Sequence, residues 1–287
     1  MSAVLYDQLG PRGRRRVRIA SLAGYAGIAG LLFVALQRLD DKGQLEGRRW
    51  KNLTNPDLLE FLGKGLWANV KAALVAMALA LVFGAVFALA RLSRNRLVRY
   101  GAGSVVEFFR ALPQLLLILG AAIVLPRYGY ELPVFVYLVV GLVLYQGSVL
   151  AEILRAGILS LDRGQSEAAY SVGLSYGLTM RLVVVPQAVR RMLPSIVSQL
   201  VTLFKDTSLG FVIGYEEMLR RGKFATVEFG ESLLQIYLLI AVIFIAVNIC
   251  LSRFARWLEG RQQRKYGAAG AAIAVTGVED LAVLDTP

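Results

Sequence analysis

The chain has 287 residues, of which 56% are hydrophobic and 18% charged, and its mean hydropathy is +0.57. This balance is too apolar for a soluble domain of this length, so most of the chain is expected to lie in a membrane. The net charge is +12, but the basic residues fall in short clusters beside apolar runs rather than along one polar face. That distribution favours topology signals over nucleic-acid binding.

Several catalytic and metal-binding chemistries are excluded by residue content. The sequence contains no histidine, and its single cysteine, Cys250, lies within an apolar run. Histidine-dependent catalysis, zinc sites built on histidine or cysteine, and a disulfide framework are therefore not expected. The stretch Gly63-Lys64-Gly65 lacks the glycine spacing and the hydroxyl residue of a phosphate-binding loop. We predict no catalytic or metal-binding residue and no ATP hydrolysis by this chain alone.

The N-terminal region predicts one membrane span followed by an external loop. Residues 1–16 are rich in arginine, which favours a cytoplasmic location. Residues 17–37 are apolar and long enough for a transmembrane helix, which needs about 20 residues. Residues 38–64 are polar, and their acidic residues nearly balance the basic ones. They are predicted to form an extracytoplasmic loop.

Five further apolar segments complete a predicted fold of about six transmembrane helices. They are residues 66–92, 104–125, 134–154, 182–213 and 233–251. Arginines without acidic counterparts mark the cytoplasmic ends, as Arg91, Arg94, Arg96 and Arg99 do after the second span.

This arrangement defines an all-α integral membrane protein with both termini in the cytoplasm. Asp40 and Glu228 are predicted to face the outside, and residues 65–253 form the core. The tail, residues 254–287, is predicted to be cytoplasmic and largely disordered, because its last part lacks sustained periodicity.

The segment between the fourth and fifth spans, residues 162–177, is predicted to be a short cytoplasmic helix. Asp162 and Gln165 have the spacing of a capping box, in which each side chain bonds a backbone N–H of the other. Ala168, Val172 and Tyr176 recur at i, i+4 and i+8 and form one modest apolar face. Gly173 and Gly177 follow as positions that permit a sharp turn or a close backbone contact.

Two pairs of opposite charge lie near the cytoplasmic ends of predicted spans. Glu107 and Arg110 are three residues apart, as are Glu152 and Arg155, so each pair can meet on one helix face. Because the pairs lie at similar depth, they are candidates for a cross-helix polar network that closes the inner end of a path. The alternative is local pairing of arginines that extend toward the interface. Pro113 weakens the helix that follows the first pair.

A third polar stretch, Lys205-Asp206-Thr207-Ser208, interrupts an apolar run. Polar groups at membrane depth are tolerated where they line a cavity, and interrupted helices contact the cargo in transporters. These four residues are therefore the substrate-path candidates. The alternative is a Lys–Asp pair that only holds neighbouring helices together.

The segment after the fourth span resembles the cytoplasmic EAA loop of ABC-importer permeases. The pattern consists of Glu167-Ala168-Ala169, then Gly173, then Val183-x-Val185-Pro186. In that family the loop is a coupling helix that inserts into a groove of the ATPase subunit. The resemblance implies an ATPase-coupling role for Glu167, Ala168, Ala169 and Gly173.

Further motifs resemble the polar-amino-acid subgroup of these permeases, found in histidine, glutamine and glutamate importers. They are Glu107-x-x-Arg110-x-x-Pro113, Glu152-x-x-Arg155, Gly164-Gln165-x-Glu167, Pro186-Gln187-Ala188-x-Arg190 and Lys205-Asp206-Thr207-Ser208-Leu209. The similarity covers roughly residues 66–251 and implies the MetI-like ABC permease fold. Ala111-Leu112 departs from the Gly-Thr that the family usually has there. The extra first span and basic start are similar to actinobacterial glutamate-importer permeases.

The resemblance implies a permease subunit of an ATP-driven ABC importer that moves a polar amino acid inward, with glutamate or a related amino acid as the best guess. The implied partners are two ATPase subunits, a second permease subunit in a homo- or heterodimer, an extracytoplasmic substrate-binding protein and membrane lipid, with no nucleic acid. ATP and Mg are expected at the ATPase subunits, and no cofactor on this chain. The alternative is a self-sufficient secondary transporter or channel for small polar solutes, which predicts inverted internal repeats.

Overall fold

The structure is a computed structural model that describes residues 10–228 and 232–282, without the side chains of residues 228, 258–259 and 261–282. Within these ranges all regular secondary structure is helical. The α-helices are α1 (Pro11–Asp41), α2 (Gly47–Lys51), α3 (Pro56–Arg91), α4 (Arg96–Ala111), α5 (Gln114–Arg127), α6 (Val134–Leu159), α7 (Arg163–Ser171), α8 (Tyr176–Thr179), α9 (Val185–Asp206), α10 (Met218–Glu228) and α11 (Leu233–Ala282). A π-helical turn, Met180–Val184, joins α8 to α9, and 3-10 turns cover Asn52–Thr54 and Thr207–Ile213.

Among the described residues, five segments are long and apolar enough to cross a membrane. They are Pro11–Asp41, Pro56–Arg91, Val134–Leu159, Tyr176–Ile213 and Leu233–Trp257. The bent pair of α4 and α5 makes a sixth if the two are counted as one span. The predicted all-helical fold with about six spans is confirmed.

The third span is not the continuous helix predicted for residues 104–125. It is broken between α4 and α5, whose axes differ by 99°. Proline has no N–H to donate and disfavours the helical conformation in the residue before it. Leu112 accordingly has extended dihedrals, φ −86° and ψ 139°, and Pro113 precedes the first turn of α5. The break follows from the proline, which the sequence analysis treated only as a weak point.

The connection predicted for residues 38–64 is shorter in the structure, because residues 56–64 belong to helix α3. The Asn55 side chain accepts a hydrogen bond from the Asp57 N–H at 2.9 Å, and Pro56 occupies the first helical position. Both features favour a helix start. Glu60 and Lys64 therefore lie on a helix surface, where they form an ion pair at 2.7 Å.

The C-terminal region also differs from the sequence prediction. Helix α11 continues to Ala282, whereas the tail, residues 254–287, was predicted to be largely disordered. This stretch is rich in alanine, which has the highest helix propensity of all residues. Residues 283–287 and the side chain of Glu228 lie outside the description.

The core is built on close packing of α6 against α3 and α5, and small residues permit it. A Cβ atom added to Gly84 of α3 would lie 2.9 Å from the Leu150 Cβ of α6. One added to Gly141 of α6 would lie 2.6 Å from the Ile118 Cα of α5. Small residues at such contacts let helix backbones approach closely in membranes. Helix α1 contributes no buried residue and lies outside this core.

We expect Gly141→Ala to lower the stability of the protein by about 1–3 kcal/mol, because its methyl group would overlap backbone atoms of α5. The measurement is thermal unfolding of the purified protein in detergent. Gly120→Ala is the matched control, since a Cβ atom at Gly120 meets no atom within 4 Å. There the substitution should be neutral or slightly stabilising. Equal effects of the two substitutions would contradict the packing argument.

Candidate functional site

The start of α7 contains half of the predicted capping box. The Asp162 Oδ1 accepts a hydrogen bond from the Gly164 N–H at 2.8 Å, so the N-cap is present. The Gln165 side chain does not complete the box. Its Oε1 instead accepts a hydrogen bond from the Gln187 Nε2 at 3.2 Å. Because Gln187 belongs to α9, this contact joins the short helix to the next long one.

Gly173 ends α7 in a left-handed conformation, with φ +83°. The Leu174 N–H donates to the Ala169 carbonyl at 3.1 Å, and the Gly173 N–H donates to the Tyr170 carbonyl at 3.0 Å. These two bonds form a Schellman motif, which usually has glycine at this position. A Cβ atom on Gly173 would meet no atom within 4 Å. The requirement for glycine within this chain is therefore conformational rather than steric.

The predicted coupling residues are divided between the surface and the interior. Ala169 is buried, whereas Glu167, Ala168 and Gly173 are exposed. The predicted single helix over residues 162–177 and its apolar face are wrong, because α7 ends at Ser171 and Tyr176 belongs to α8, beyond the turn at Gly173. Val172, at the end of α7, is 76% exposed. This part of the chain thus presents an exposed apolar residue at the end of α7 rather than a continuous apolar helix face.

Three contacts attach the region around α7 to the long helices. In addition to the bond between Gln165 and Gln187, the Arg191 Nη1 of α9 donates to the Ser160 carbonyl at the end of α6, at 3.0 Å. The Arg94 guanidinium lies 5.0 Å from the centre of the Tyr176 ring, within range for a cation–π contact. The segment is therefore joined to α9, to α6 and to the α3–α4 loop.

A polar network surrounds Glu152 at the end of α6 nearest α7. Its carboxylate contacts the guanidinium of Arg91 at 2.7 Å, that of Arg155 at 2.5 Å and that of Arg110 at 3.8 Å. The predicted pairing of Glu152 with Arg155 is present, and so is the cross-helix network, which joins α3, α4 and α6. The gating role proposed for this network stays a prediction.

Two expectations about this network are wrong. Glu107 does not pair with Arg110 on α4, and its carboxylate lies 3.7 Å from the Arg91 guanidinium instead. Arg91 was predicted to have no acidic counterpart, but its guanidinium contacts the carboxylates of both Glu107 and Glu152. A signal was available, because Arg91 follows Gly84 and Ala88 along the buried face of α3 at i+7 and i+3.

The substrate-path candidates have different surroundings. Thr207 is buried, and its Oγ1 accepts a hydrogen bond from the Asn69 Nδ2 at 2.8 Å. The Asp206 Oδ2 accepts one from the Gln146 Nε2 at 2.8 Å. Lys205 is exposed and forms no hydrogen bond or ion pair with any described residue. A Lys–Asp pair that holds helices together is therefore not formed, in keeping with the opposite directions of adjacent helical side chains.

Lys205 and Ser208 open into a cleft of about 530 Å³ between the end of α9 and α11. Its lining residues are Lys205, Ser208, Phe244, Ile245, Asn248, Ile249, Ser252 and Arg256. Two of these side chains are cationic, three are neutral and polar, and none is acidic. The Asn248 Nδ2 donates to the Phe244 carbonyl, and its Oδ1 is buried without a partner among the described residues. Such a lining can bind a small anionic group together with polar atoms.

The sequence analysis missed a buried cluster beside this segment. Asn69 of α3 donates from its Nδ2 to the Glu217 Oε2 at 3.2 Å and accepts from the Met218 N–H at 3.1 Å. The Glu217 carboxylate caps α10 by accepting from the N–H groups of Leu219 and Arg220. Burial raises the pKa of the Glu217 carboxyl, and these hydrogen bonds oppose that rise. An asparagine within an apolar span was the available signal.

These features define a multi-spanning membrane protein with a polar cleft in its helix bundle and a short exposed helix joined to that bundle. The chain belongs to the family described as "binding-protein-dependent transport system inner membrane component", whose model matches residues 80–264. Members are permease components of ABC importers in the inner membrane, and they function with ATPase and permease partners. They are transport subunits rather than enzymes.

Two relatives are similar over most of their length. The glutamate transport system permease protein GluD of Corynebacterium glutamicum is 38% identical over 230 residues, which cover 79% of this chain and 84% of the relative. The probable glutamine ABC transporter permease protein GlnP of Bacillus subtilis is 37% identical over 206 residues, covering 71% of this chain and 94% of the relative.

Solved structures have the same fold. An amino acid ABC transporter crystallised with histidines matches with a TM-score of 0.66 and 28% identity, covering 71% of this chain and 94% of the other. The MetNI methionine ABC transporter in an inward-facing conformation matches with a TM-score of 0.59 and 17% identity, covering 71% and 99%. At that identity the second match shows the fold alone.

We expect Glu152→Gln to lower the stability of the protein by about 2 kcal/mol, because it leaves Arg91, 12% exposed, without its closest anionic partner. Glu107→Gln is the matched control. The Glu107 side chain is 72% exposed and lies farther from Arg91, so its loss should cost less than about 1 kcal/mol. Thermal unfolding in detergent at low and high salt measures both. Equal losses would contradict the central position of Glu152.

Proposed function

We propose that the chain is the permease subunit of an ATP-driven importer that carries an acidic amino acid, with glutamate as the best candidate, into the cell. The observation that carries the proposal is the cleft beside Lys205. Its described lining residues include the cations Lys205 and Arg256 and no acidic side chain. Glutamate has two carboxylates and one ammonium group, so its net charge complements this lining. The relative GluD, which bears the name of a glutamate transport permease, supports the same cargo.

The partners follow from the family. The proposed assembly contains two permease subunits, two ATPase subunits that bind ATP and Mg, and an extracytoplasmic protein that delivers the amino acid. Both termini and α7 lie in the cytoplasm, because the arginine-rich ends of the spans favour that side. In this orientation the exposed Val172 and Gly173, at the end of α7, meet the ATPase.

A continuous helix connects the two proposed sites. Helix α9 has 22 residues and extends about 33 Å at 1.5 Å per residue. Near its start, Gln187 bonds to Gln165 of α7, and near its end, Lys205 lines the cleft. ATP-driven movement of α7 would therefore reach the cargo through a single helix.

The network around Glu152 is proposed to close the inner end of the path. It joins α3, α4 and α6 on the side of the bundle nearest α7. Opening toward the cytoplasm would separate these helices and therefore break the contacts between Glu152 and the arginines of α3 and α4.

The proposal predicts that Lys205→Gln raises the half-saturating concentration for glutamate uptake about ten-fold, because a charge-assisted hydrogen bond to the cargo is lost. Uptake of glutamine, which lacks the second carboxylate, should change less. The measurement is uptake of both amino acids by vesicles that contain the permease, its ATPase and its binding protein. Lys223→Gln is the control, because this exposed lysine lies on α10 and outside the cleft.

Two outcomes would count against the proposal. Equal effects of Lys205→Gln on the uptake of glutamate and of glutamine would show that the cleft is not part of the cargo path. Uptake by vesicles without ATPase, driven by an ion gradient, would favour the secondary transporter instead.

The coupling role predicts that Gly173→Ala weakens retention of the ATPase. Alanine in the left-handed conformation costs about 1–2 kcal/mol, so the end of α7 should rearrange. Gly177→Ala is the control, because Gly177 has no positive φ and has open space around it. Co-purification of the ATPase with each variant, together with cargo-stimulated ATP hydrolysis, measures the effect. Normal values for Gly173→Ala would contradict docking through this end of α7.

A further inference from the structure

Helix α4 has a buried face and an exposed apolar stripe. Ala102, Gly103 and Val106 are buried, on the face that packs against the ends of α3 and α6. A second stripe is apolar yet exposed, and it contains Leu97, Val105 and Phe108 at i, i+8 and i+11. Leu97 is 83% exposed and Phe108 59% exposed.

The first turn of α4 is basic, and Arg99 lies on the line of the buried residues Ala102, Gly103 and Val106, which follow it at i+3, i+4 and i+7. Arg96 is exposed, and Arg99 is half-buried with its guanidinium 5.2 Å from the centre of the Tyr100 ring. Neither forms an ion pair with a described residue. The acidic residue of α4, Glu107, contacts Arg91 instead. The basic charge at this end of α4 is therefore not neutralised within the described part of the chain.

The direction of α4 places these faces at a membrane surface. The axis of α4 differs by 99° from that of α5, which forms part of the broken span. Helix α5, the more apolar half of the pair, has 14 residues and extends about 21 Å, which is most of the roughly 30 Å hydrocarbon core. With α5 along the bilayer normal, α4 lies nearly parallel to the membrane plane. A helix with an exposed apolar stripe and a basic first turn in that orientation is typical of an interfacial helix.

We propose that α4 lies in the interface of the cytoplasmic leaflet, where Leu97, Val105 and Phe108 contact acyl chains and where Arg96 and Arg99 bind the phosphates of anionic lipids. Charge complementarity selects this occupant. The inference uses the proposed orientation of the chain but needs neither the proposed cargo nor ATP hydrolysis.

A second copy of the chain is a poorer occupant of this surface. A two-fold contact on α4 brings the same surface patch of both copies together, and because the first turn of this patch is basic in each copy, the two patches would repel. Anionic lipid headgroups instead supply the opposite charge, and the cytoplasmic leaflet attracts basic segments for this reason.

The lipid site is connected to the polar network. Glu107 and Arg110, on the same helix, contact Arg91 and Glu152 respectively. A shift of α4 relative to the bilayer therefore changes the distances around Glu152. Anionic lipid would hold α4 in the position that keeps this network together.

The test uses the full chain in phosphatidylcholine nanodiscs with a trace of photoactivatable phosphatidylglycerol or, in parallel, photoactivatable phosphatidylcholine. Peptides labelled on irradiation are mapped by mass spectrometry. The phosphatidylglycerol probe should label residues 96–111 several-fold more than the phosphatidylcholine probe. The variant Arg96→Gln/Arg99→Gln should lose this preference, so that the two probes label residues 96–111 to the same extent.

Two controls make the result specific. Arg96→Lys/Arg99→Lys keeps the charge and should keep most of the preference. Arg127→Gln removes an exposed arginine at the other end of the broken span and should change nothing at α4.

The proposal is overturned by equal labelling with both probes, or by a preference that survives Arg96→Gln/Arg99→Gln. Because the labelling needs no cargo and no ATP, a failed uptake assay would leave this result standing.

Discussion

Close packing of α3 against α6 is the constraint on which the remaining structure depends. Gly84 and Gly147 let the two backbones approach, and both positions would overlap their neighbours if a Cβ atom were added. Since the register of the two helices is set there, Arg91 at the end of α3 meets Glu152 of α6 at 2.7 Å. A larger side chain at Gly84 or Gly147 would separate Arg91 from Glu152. Their charges would then lack partners in a low-dielectric region, where unpaired charges are costly.

Hydrogen bonds within the helix bundle also determine which polar residues remain available to a ligand. Asp206 and Thr207 are held by Gln146 and Asn69, so their hydrogen-bonding groups serve the packing of α3, α6 and α9. Lys205 has no such partner within the described residues and opens into the cleft. The end of α9 therefore has two kinds of polar residue. Asp206 and Thr207 fix its position in the bundle, whereas the cation of Lys205 is available to a ligand.

The sequence was most informative where local rules decide the structure. Long apolar runs predicted the spans, and Asp162 predicted where α7 begins, whereas the predicted end near residue 177 was too far along the chain because Gly173 already ends the helix. Pro113 was noted, yet the 99° break was not, because proline shows where a helix weakens and not how the chain continues. The contacts of Asn69 with Thr207 and Glu217 join residues 138 and 148 positions apart. Such pairs depend on tertiary packing, so periodicity could not find them.

Helix α9 is held by contacts near its start and can bend at a proline near its middle. Both features affect how movement would pass along the helix. Gln187 bonds to α7, and the Met192 side chain packs so closely on Gly157 of α6 that an added Cβ atom would overlap it. Pro194 follows two residues later and lacks an N–H for the helix ladder. The part of α9 before Pro194 is therefore expected to move with α6 and α7 as one unit. Bending at Pro194 would then determine how much of that movement reaches Lys205.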